Sequence, residues 1–274
     1  MGNCSIIVNT CDAYEDAWSP FFKILKAEWP ECDMPIYVNT ESKVCKVDDF
    51  EVTTLNILEG KKSDIPWGER LIDALKRIDT DYVLFMLEDF FIQERVKNDI
   101  IENCIRWMDE DENIATFLLV SAGLYARSDY EKNKEKSDKY PGFGLREKKD
   151  KFLLSAGPGI WRREDLIKLT KPFESPWVWE GYGSLRAAKY PKEFYCRKVD
   201  GESAFVYDVV RGGAIHRGLW VGCIVRPLLE KHNIDLDLNV RGVDEDWLEH
   251  PPVVKFSLKR KICNGFKRIR SLYF

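Results

Sequence analysis

The stretch from Tyr82 to Phe91, YVLFMLEDFF, constrains this chain more than any other. Six apolar or aromatic residues in a row signal a β-strand covered on both faces, the pattern of a parallel sheet sandwiched between helices. The run stops at two adjacent carboxylates, Glu88 and Asp89, and two more aromatics follow. In an open parallel sheet, ligands bind in the crevice beyond the carboxyl ends of the strands. Two acids at such an end can hold a divalent cation, and through it phosphate oxygens. A helix N-cap or a solvated loop pair has the same composition.

The surrounding text alternates strand and helix signals. Ser5–Asn9 (SIIVN), Met34–Asn39 (MPIYVN) and Glu51–Ile57 read as short strands. Ser19-Pro20 supplies an N-cap and first helical residue for a helix that ends at Pro30. Leu71, Ala74, Leu75 and Ile78 recur at helical spacing in the segment that precedes the acidic strand. A helix over Ile100–Met108 and a strand over Ile114–Val120 come next. Further on, Phe152–Ile160, Phe194–Val199, Ala204–Val210 and Ala214–His216 read as strands. Arg163–Leu169, Pro176–Lys189 and Val225–His232 read as helices. The alternation predicts a single α/β domain with a mainly parallel central sheet flanked by helices. Tyr125–Lys151 breaks the rhythm with Lys, Asp, Glu and internal glycines, and reads as a loop or lid. The domain is expected over residues 1–254, with a basic amphipathic tail over 255–274.

Charge and cysteine content narrow the class. The tail carries seven basic residues and no acidic one, leaving 35 basic against 46 acidic residues elsewhere, a net of −11. Such a body does not attract nucleic acid, whereas the tail can attract an anionic membrane surface; a basic helix packed on the acidic body fits the same composition. The eight cysteines form no CxxC pair and only three histidines exist, which disfavours a zinc cluster. Cys4, Cys104 and Cys223 lie in apolar runs, as buried thiols of a reducing cytosol do. No signal peptide or ~20-residue apolar span is read. The expected location is cytoplasmic, peripheral on the inner membrane face.

A strand with a polar tip, a helix carrying an Arg, and an apolar strand ending in acids resemble the nucleotide-sugar half of GT-A glycosyltransferases of the bacterial surface-glycan type. The likeness runs from about Ser5 to His216, in order and spacing more than in exact motif. The family's Asp-x-Asp is replaced by Leu87-Glu88-Asp89, so only Asp89 is a full match. The resemblance implies a GT-A-like domain and a UDP-sugar donor. It also implies Mn²⁺ or Mg²⁺ held by Asp89 and a late histidine, His216.

By the same resemblance, Asn9, Thr10 and Asp12 face the base and ribose, and Arg70 contacts the donor. Gly157 and Trp161, in SAGPGIW, lie against the donor sugar, with the indole stacked on it. Glu88, His216 and Arg217 serve the diphosphate, with Arg211 nearby. Glu180, in WVWEGYGSLR, is the general base, followed by an Arg two turns on. The family's usual second acid there is replaced by Gly181. The implied acceptor is a saccharide or lipid-linked glycan, and the implied reaction inverts. Each residue also has a plainer reading: a turn for Asp12, a solvated helix face for Arg70, a helix cap for Glu180, a structural role for His216.

Two other classes compete. A nucleotidyltransferase shares strand-end acids and a metal, but the loop after the first strand reads TCDAYED rather than Gly-rich and basic. A dinucleotide-dependent oxidoreductase is disfavoured by the absence of GxGxxG there. The non-enzymatic alternative is a sugar-binding, membrane-associated protein.

Overall fold

The computed structural model describes residues 3–48, 50–60, 65–120, 139–150, 152–198, 201–208, 212–245 and 266–272. Its centre is an eight-stranded sheet. The strands are β1 (Cys4–Asn9), β2 (Ile36–Asn39), β3 (Val52–Thr54), β4 (Tyr82–Met86), β5 (Ile114–Leu118), β6 (Phe143–Leu145), β7 (Gly159–Arg162) and β8 (Glu193–Arg197). They lie in the order β3-β2-β1-β4-β7-β5-β8-β6. The half from β3 to β4 is all parallel, and β5 runs parallel to β8. β7 runs antiparallel between β4 and β5, and β6 is an antiparallel edge on β8. The domain is thus α/β with a mainly parallel sheet flanked by helices.

The apolar run of β4 is explained by its position. Leu84 and Met86 join one core with Ile6 and Val8, under α1 (Glu15–Glu28) and α3 (Asn98–Glu110). Val83 and Phe85 join the opposite core with Ile7, under α2 (Trp67–Leu75) and α4 (Arg163–Leu169). Alternate side chains point to opposite faces, so a strand buried on both needs apolar residues throughout. The β1–β4 register pairs Val8 with Met86, so Asn9-Thr10 and Leu87-Glu88 leave the sheet side by side.

Several boundaries differ from the sequence reading. α1 starts at Glu15, and Pro20 lies inside it. The acids Glu15 and Asp16 suit the first turn, and burial of Ala17 and Trp18 outweighs the hydrogen bond that Pro20 cannot donate. The strand expected over Phe152–Ile160 is confined to Gly159–Arg162; Phe152 sits at φ 57, which no strand accepts. Residues 204–208 form no strand, although they are tied to the loop after β4. Gln93 N–H donates to the Val206 carbonyl at 2.7 Å, and Lys97 N–H to that of Ala204 at 3.1 Å. Residues 121–138 of the expected loop lie outside the described residues; its end folds into β6. Cys4 and Cys104 are buried, but Cys223 is exposed, because it lies on the outer face of α6 (Gly222–Lys231).

The Pro176–Ala187 segment is one continuous helical stretch, α5: a turn at Pro176–Val178, a π-helical turn at Trp179–Gly183 and a last turn at Ser184–Ala187. Residues 266–272 are helical and dock beside it. The fully buried Glu174 takes both prongs of Arg186, Nη1 to Oε1 and Nη2 to Oε2, each at 3.0 Å. Ser271 Oγ donates to the same carboxylate at 2.5 Å, and Arg186 also donates to the Ser271 carbonyl at 2.6 Å. Removing one partner of a buried ion pair strands the other charge. Glu174→Gln should therefore cost about 3–5 kcal/mol in urea denaturation, against about 1 kcal/mol for Ser271→Ala. Equal losses would show that the pair is not what holds this corner.

Candidate active site

The two acids beyond β4 are held differently. Glu88 is buried and accepts a hydrogen bond from the Thr10 hydroxyl. Trp18 Nε1 donates to Thr10 Oγ1 at 2.9 Å, and the same hydroxyl lies 3.5 Å from the Cys11 carbonyl. Burial pushes the Glu88 carboxyl up to about 7, against the pull of that hydrogen bond. Asp89 is pushed well above the usual carboxylate range, first by burial and then by the charge of Glu88. Its Oδ1 has no hydrogen-bond partner. Its backbone is clamped: the Asp89 carbonyl accepts from Ala214 N–H at 2.7 Å and from Phe91 N–H at 3.0 Å. Gly213, at φ +100, passes so close that a Cβ there would lie 2.7 Å from that carbonyl.

One cation offsets the pair. Arg241 lowers the pKa of both acids. It is ion-paired with Asp16 and stacked between Tyr14, 4.5 Å from the ring centroid, and Trp220, 5.5 Å.

Glu180 stands on the π-helical turn of α5. Ala156 N–H donates to its Oε1 at 2.7 Å, and burial raises its pKa. Ser184 ties the same turn to the strand entry: it donates to the Glu180 carbonyl and accepts from Leu154 N–H at 3.0 Å.

A third side chain joins the two halves. Tyr207 packs on Phe90 with ring centroids 4.8 Å apart, and its hydroxyl lies 3.8 Å from where a Cβ on Gly157 would stand. Burial raises the Tyr207 pKa, and then Asp89 and Glu180 raise it further. Both acids therefore lie within electrostatic reach of one phenol. Asp89, Glu180 and Tyr207 are each half-buried, so each keeps some exposure to solvent.

The other expected residues fall in several places. Asn39 Nδ2 donates to Asn9 Oδ1 at 2.6 Å across the tips of β2 and β1. Arg70 is buried against Glu41 at 3.0 Å, with its Nε lacking a hydrogen-bond partner. Cys11 feels Glu88, Glu41 and Arg70 together, so these groups share the carboxyl edge with Thr10. Asp12 is occupied structurally. It accepts the backbone N–H of Glu41, Ser42 and Lys43 and the Ser42 hydroxyl. Burial works against its charge, but these bonds hold its pKa below the ordinary value.

Trp161 corrects the sequence expectation. It is fully buried between Trp179 and Phe194, with ring centroids at 6.1 and 6.3 Å, and has no open face for a sugar.

His216 ends β9 (Ile215–His216), joined to β10 (Leu219–Val221) by a two-residue turn with Arg217 at φ +52 and Gly218 at +84. β11 (Val243–Asp244) completes this small sheet. Burial and Arg217 lower the His216 pKa, and Asp244 opposes them. Arg217 is exposed, and Arg211 lies outside the described residues.

The fit to a divalent cation rests on Glu88 and Asp89. Two adjacent carboxylates, one with a buried oxygen lacking a partner, match the hard oxygen donors that Mg²⁺ and Mn²⁺ take alongside substrate phosphates. No group of three His, Cys, Asp or Glu side chains able to hold a metal occurs among the described residues, so His216 does not complete a protein-only site with Asp89. Tyr207, Arg241 and Ser184 were not legible as site residues. Tyr207 reads as one more residue of an apolar run, and Arg241 lies over 150 residues beyond the acids it serves.

No protein-family model matches the chain, and no curated protein matches it. Among solved structures it is similar to glycosyltransferases. One is glucosyl-3-phosphoglycerate synthase from Mycobacterium tuberculosis bound to Mn²⁺ and UDP-glucose, at 15% identity and TM-score 0.33, over 59% of this chain and 56% of that one. The same enzyme with phosphoglyceric acid gives 16%, 0.34, 59% and 57%. The galactosyltransferase LgtC with donor and acceptor sugar analogs gives 12%, 0.35, 69% and 67%. The chain thus spans under two thirds of the synthase's length. Likeness this distant equates no residues, so the site stands on this chain's own side chains.

Burial of Glu88 has a consequence for stability. Its carboxyl binds a proton more tightly folded than unfolded, where the ordinary value is 4.5. The contribution is fully present below 4.5 and is lost as pH rises through about 7. Urea midpoints should fall between pH 5 and 8 by an equivalent of about 2 kcal/mol, and Glu88→Gln should flatten that slope. An equally steep slope in the variant would place the titration elsewhere.

Proposed function

We propose that the protein moves a sugar from a nucleotide-diphosphate donor, a UDP-sugar, to a hydroxyl of a growing surface glycan or lipid-linked saccharide, with inversion. The observation that supports this is the run of contacts linking the two acids: Ala214 N–H on the Asp89 carbonyl, Gly213 N–H on the Asp208 carbonyl, the Tyr207 phenol against Gly157, and Ala156 N–H on Glu180. Such a transfer needs two things a short distance apart: a place for an anionic leaving group and a base for the incoming hydroxyl.

Glu88 and Asp89 hold the cation, and Asn9, Thr10 and Arg70 line the adjoining strand edge for the nucleoside. Bound there, Mn²⁺ or Mg²⁺ supplies Lewis-acid stabilisation of the departing diphosphate. His216 and Arg217, on their hairpin tip, are assigned to the same phosphates. Glu180 takes the acceptor proton as the new carbon–oxygen bond forms and the bond from the anomeric carbon to the diphosphate oxygen breaks. Its raised pKa strengthens it as a base, and the Ala156 N–H fixes its orientation. Gly157 leaves room beside the transferred ring.

General-base removal costs about 10²–10⁴-fold. Glu180→Gln should lose turnover by that factor while binding UDP-sugar with unchanged affinity, as read by steady-state kinetics and calorimetry. Near-normal turnover would remove Glu180 from this role.

The same reading places the protein in the cytoplasm against an anionic membrane, through the tail beyond residue 254. No helix among the described residues is long and apolar enough to cross a membrane. Phe266 and Ile269, 69% and 53% exposed, stand one helical turn apart beside Lys267 and Arg268. That composition suits interfacial contact. Replacing both Phe266 and Ile269 with Glu leaves Ser271 in place and should abolish flotation with phosphatidylserine vesicles. Unchanged flotation would discard the contact.

A further inference from the structure

Tyr207 stands between the strip that clamps Asp89 and the segment that holds Glu180. Its ring is fixed from one side by Phe90, 4.8 Å away. Its backbone is fixed on both flanks: the Val206 carbonyl accepts from Gln93 N–H at 2.7 Å, and the Asp208 carbonyl from Gly213 N–H at 3.1 Å. The second bond ties it to the same Gly213-Ala214 strip that clamps Asp89. On the far side Gly157 offers no side chain. A Cβ there would lie 3.8 Å from the phenol oxygen and be hemmed in by Val120 Cγ2 at 3.2 Å and Ser155 Oγ at 3.3 Å. The next residue back, Ala156, holds Glu180. The phenol is therefore placed by both halves of the site, while its hydroxyl makes no hydrogen bond to any described residue.

An oriented hydroxyl with no acceptor among the described residues, partly reached by solvent, has its donor proton available for a ligand. A tyrosine phenol keeps its proton at neutral pH, so it acts as a donor and not as a base. In the transferase reading, on which this inference rests, the leaving group lies at Asp89 and the incoming hydroxyl at Glu180. The sugar in transit lies between them, beside Tyr207. We propose that the Tyr207 hydroxyl donates a hydrogen bond to a hydroxyl of the transferred sugar and so helps select the donor sugar. A donor sugar lacking that hydroxyl leaves the phenol desolvated and unpaired, which is how a polar site rejects a deoxy analogue.

The test compares wild type with Tyr207→Phe, which keeps the packing on Phe90 and removes only the oxygen. Each is assayed with the UDP-hexose that supports turnover and with its monodeoxy analogues. Wild type should disfavour one deoxy donor by about 10–100-fold in kcat/KM. Tyr207→Phe should lose about 10-fold on the parent donor, turn over parent and that deoxy donor alike, and bind UDP as wild type does. Gly157→Ala, which sets a methyl group in van der Waals contact with the phenol oxygen at 3.8 Å and takes up space the sugar hydroxyl needs, should lower kcat/KM for the parent and narrow the same gap; it serves if Tyr207→Phe melts early. Wild-type rates in Tyr207→Phe, or an unchanged pattern across the deoxy donors, would overturn the assignment and leave the transferase reading intact. Failure of wild-type protein to transfer sugar from any nucleotide donor would overturn both.

Discussion

Two adjacent carboxyls at the end of the central strand, one buried and one half-buried, govern the rest of this structure. Glu88 and Asp89 follow β4 where its register with β1 brings both strand ends together. Taking adjacent carboxylates out of water is costly, and the fold offsets that cost only in part. Thr10 donates to one acid, the Asp89 backbone N–H favours the charge of the other, and Arg241 lends a positive charge from a distance. What remains is a demand for a proton or a cation. That unmet demand separates the site from Glu174, whose buried charge is fully answered by Arg186 and Ser271.

The proposed site is assembled from segments far apart in the chain, each restrained by its own bracket. Asp12 gathers three backbone N–H groups of the loop after β2 and so fixes the β1 tip. Arg241 pins the small sheet to the start of α1 through Asp16 and Tyr14. Ser184 and Ala156 join the π-helical turn to the entry of β7. These brackets use polar residues that look available for ligands in the linear text. Asp12 is the clearest instance: its charge is consumed in holding the site's edge. Trp161 shows the converse, an aromatic suited to a sugar but spent on packing.

Much of the sheet was legible because its strands are short apolar runs separated by turn residues and amphipathic helices. The antiparallel insertion of β7 was not, since strand direction leaves no mark on a fully buried run. Nor were residues 204–208, where an apolar segment serves a loop instead of the sheet. Glu88, Asp89 and Glu180 stood out because charges amid aromatics break a pattern. Tyr207 broke none.

The sequence by itself determined the α/β class and the two-faced burial of β4. It also determined that an acidic pair follows that strand, because hydrophobic periodicity and its interruption are local properties of the chain. Only the tertiary structure decided which acids lie near one another, which are neutralised and which aromatics are closed off. Those outcomes depend on distances between residues tens to hundreds of positions apart, and such distances are set by packing across the whole domain.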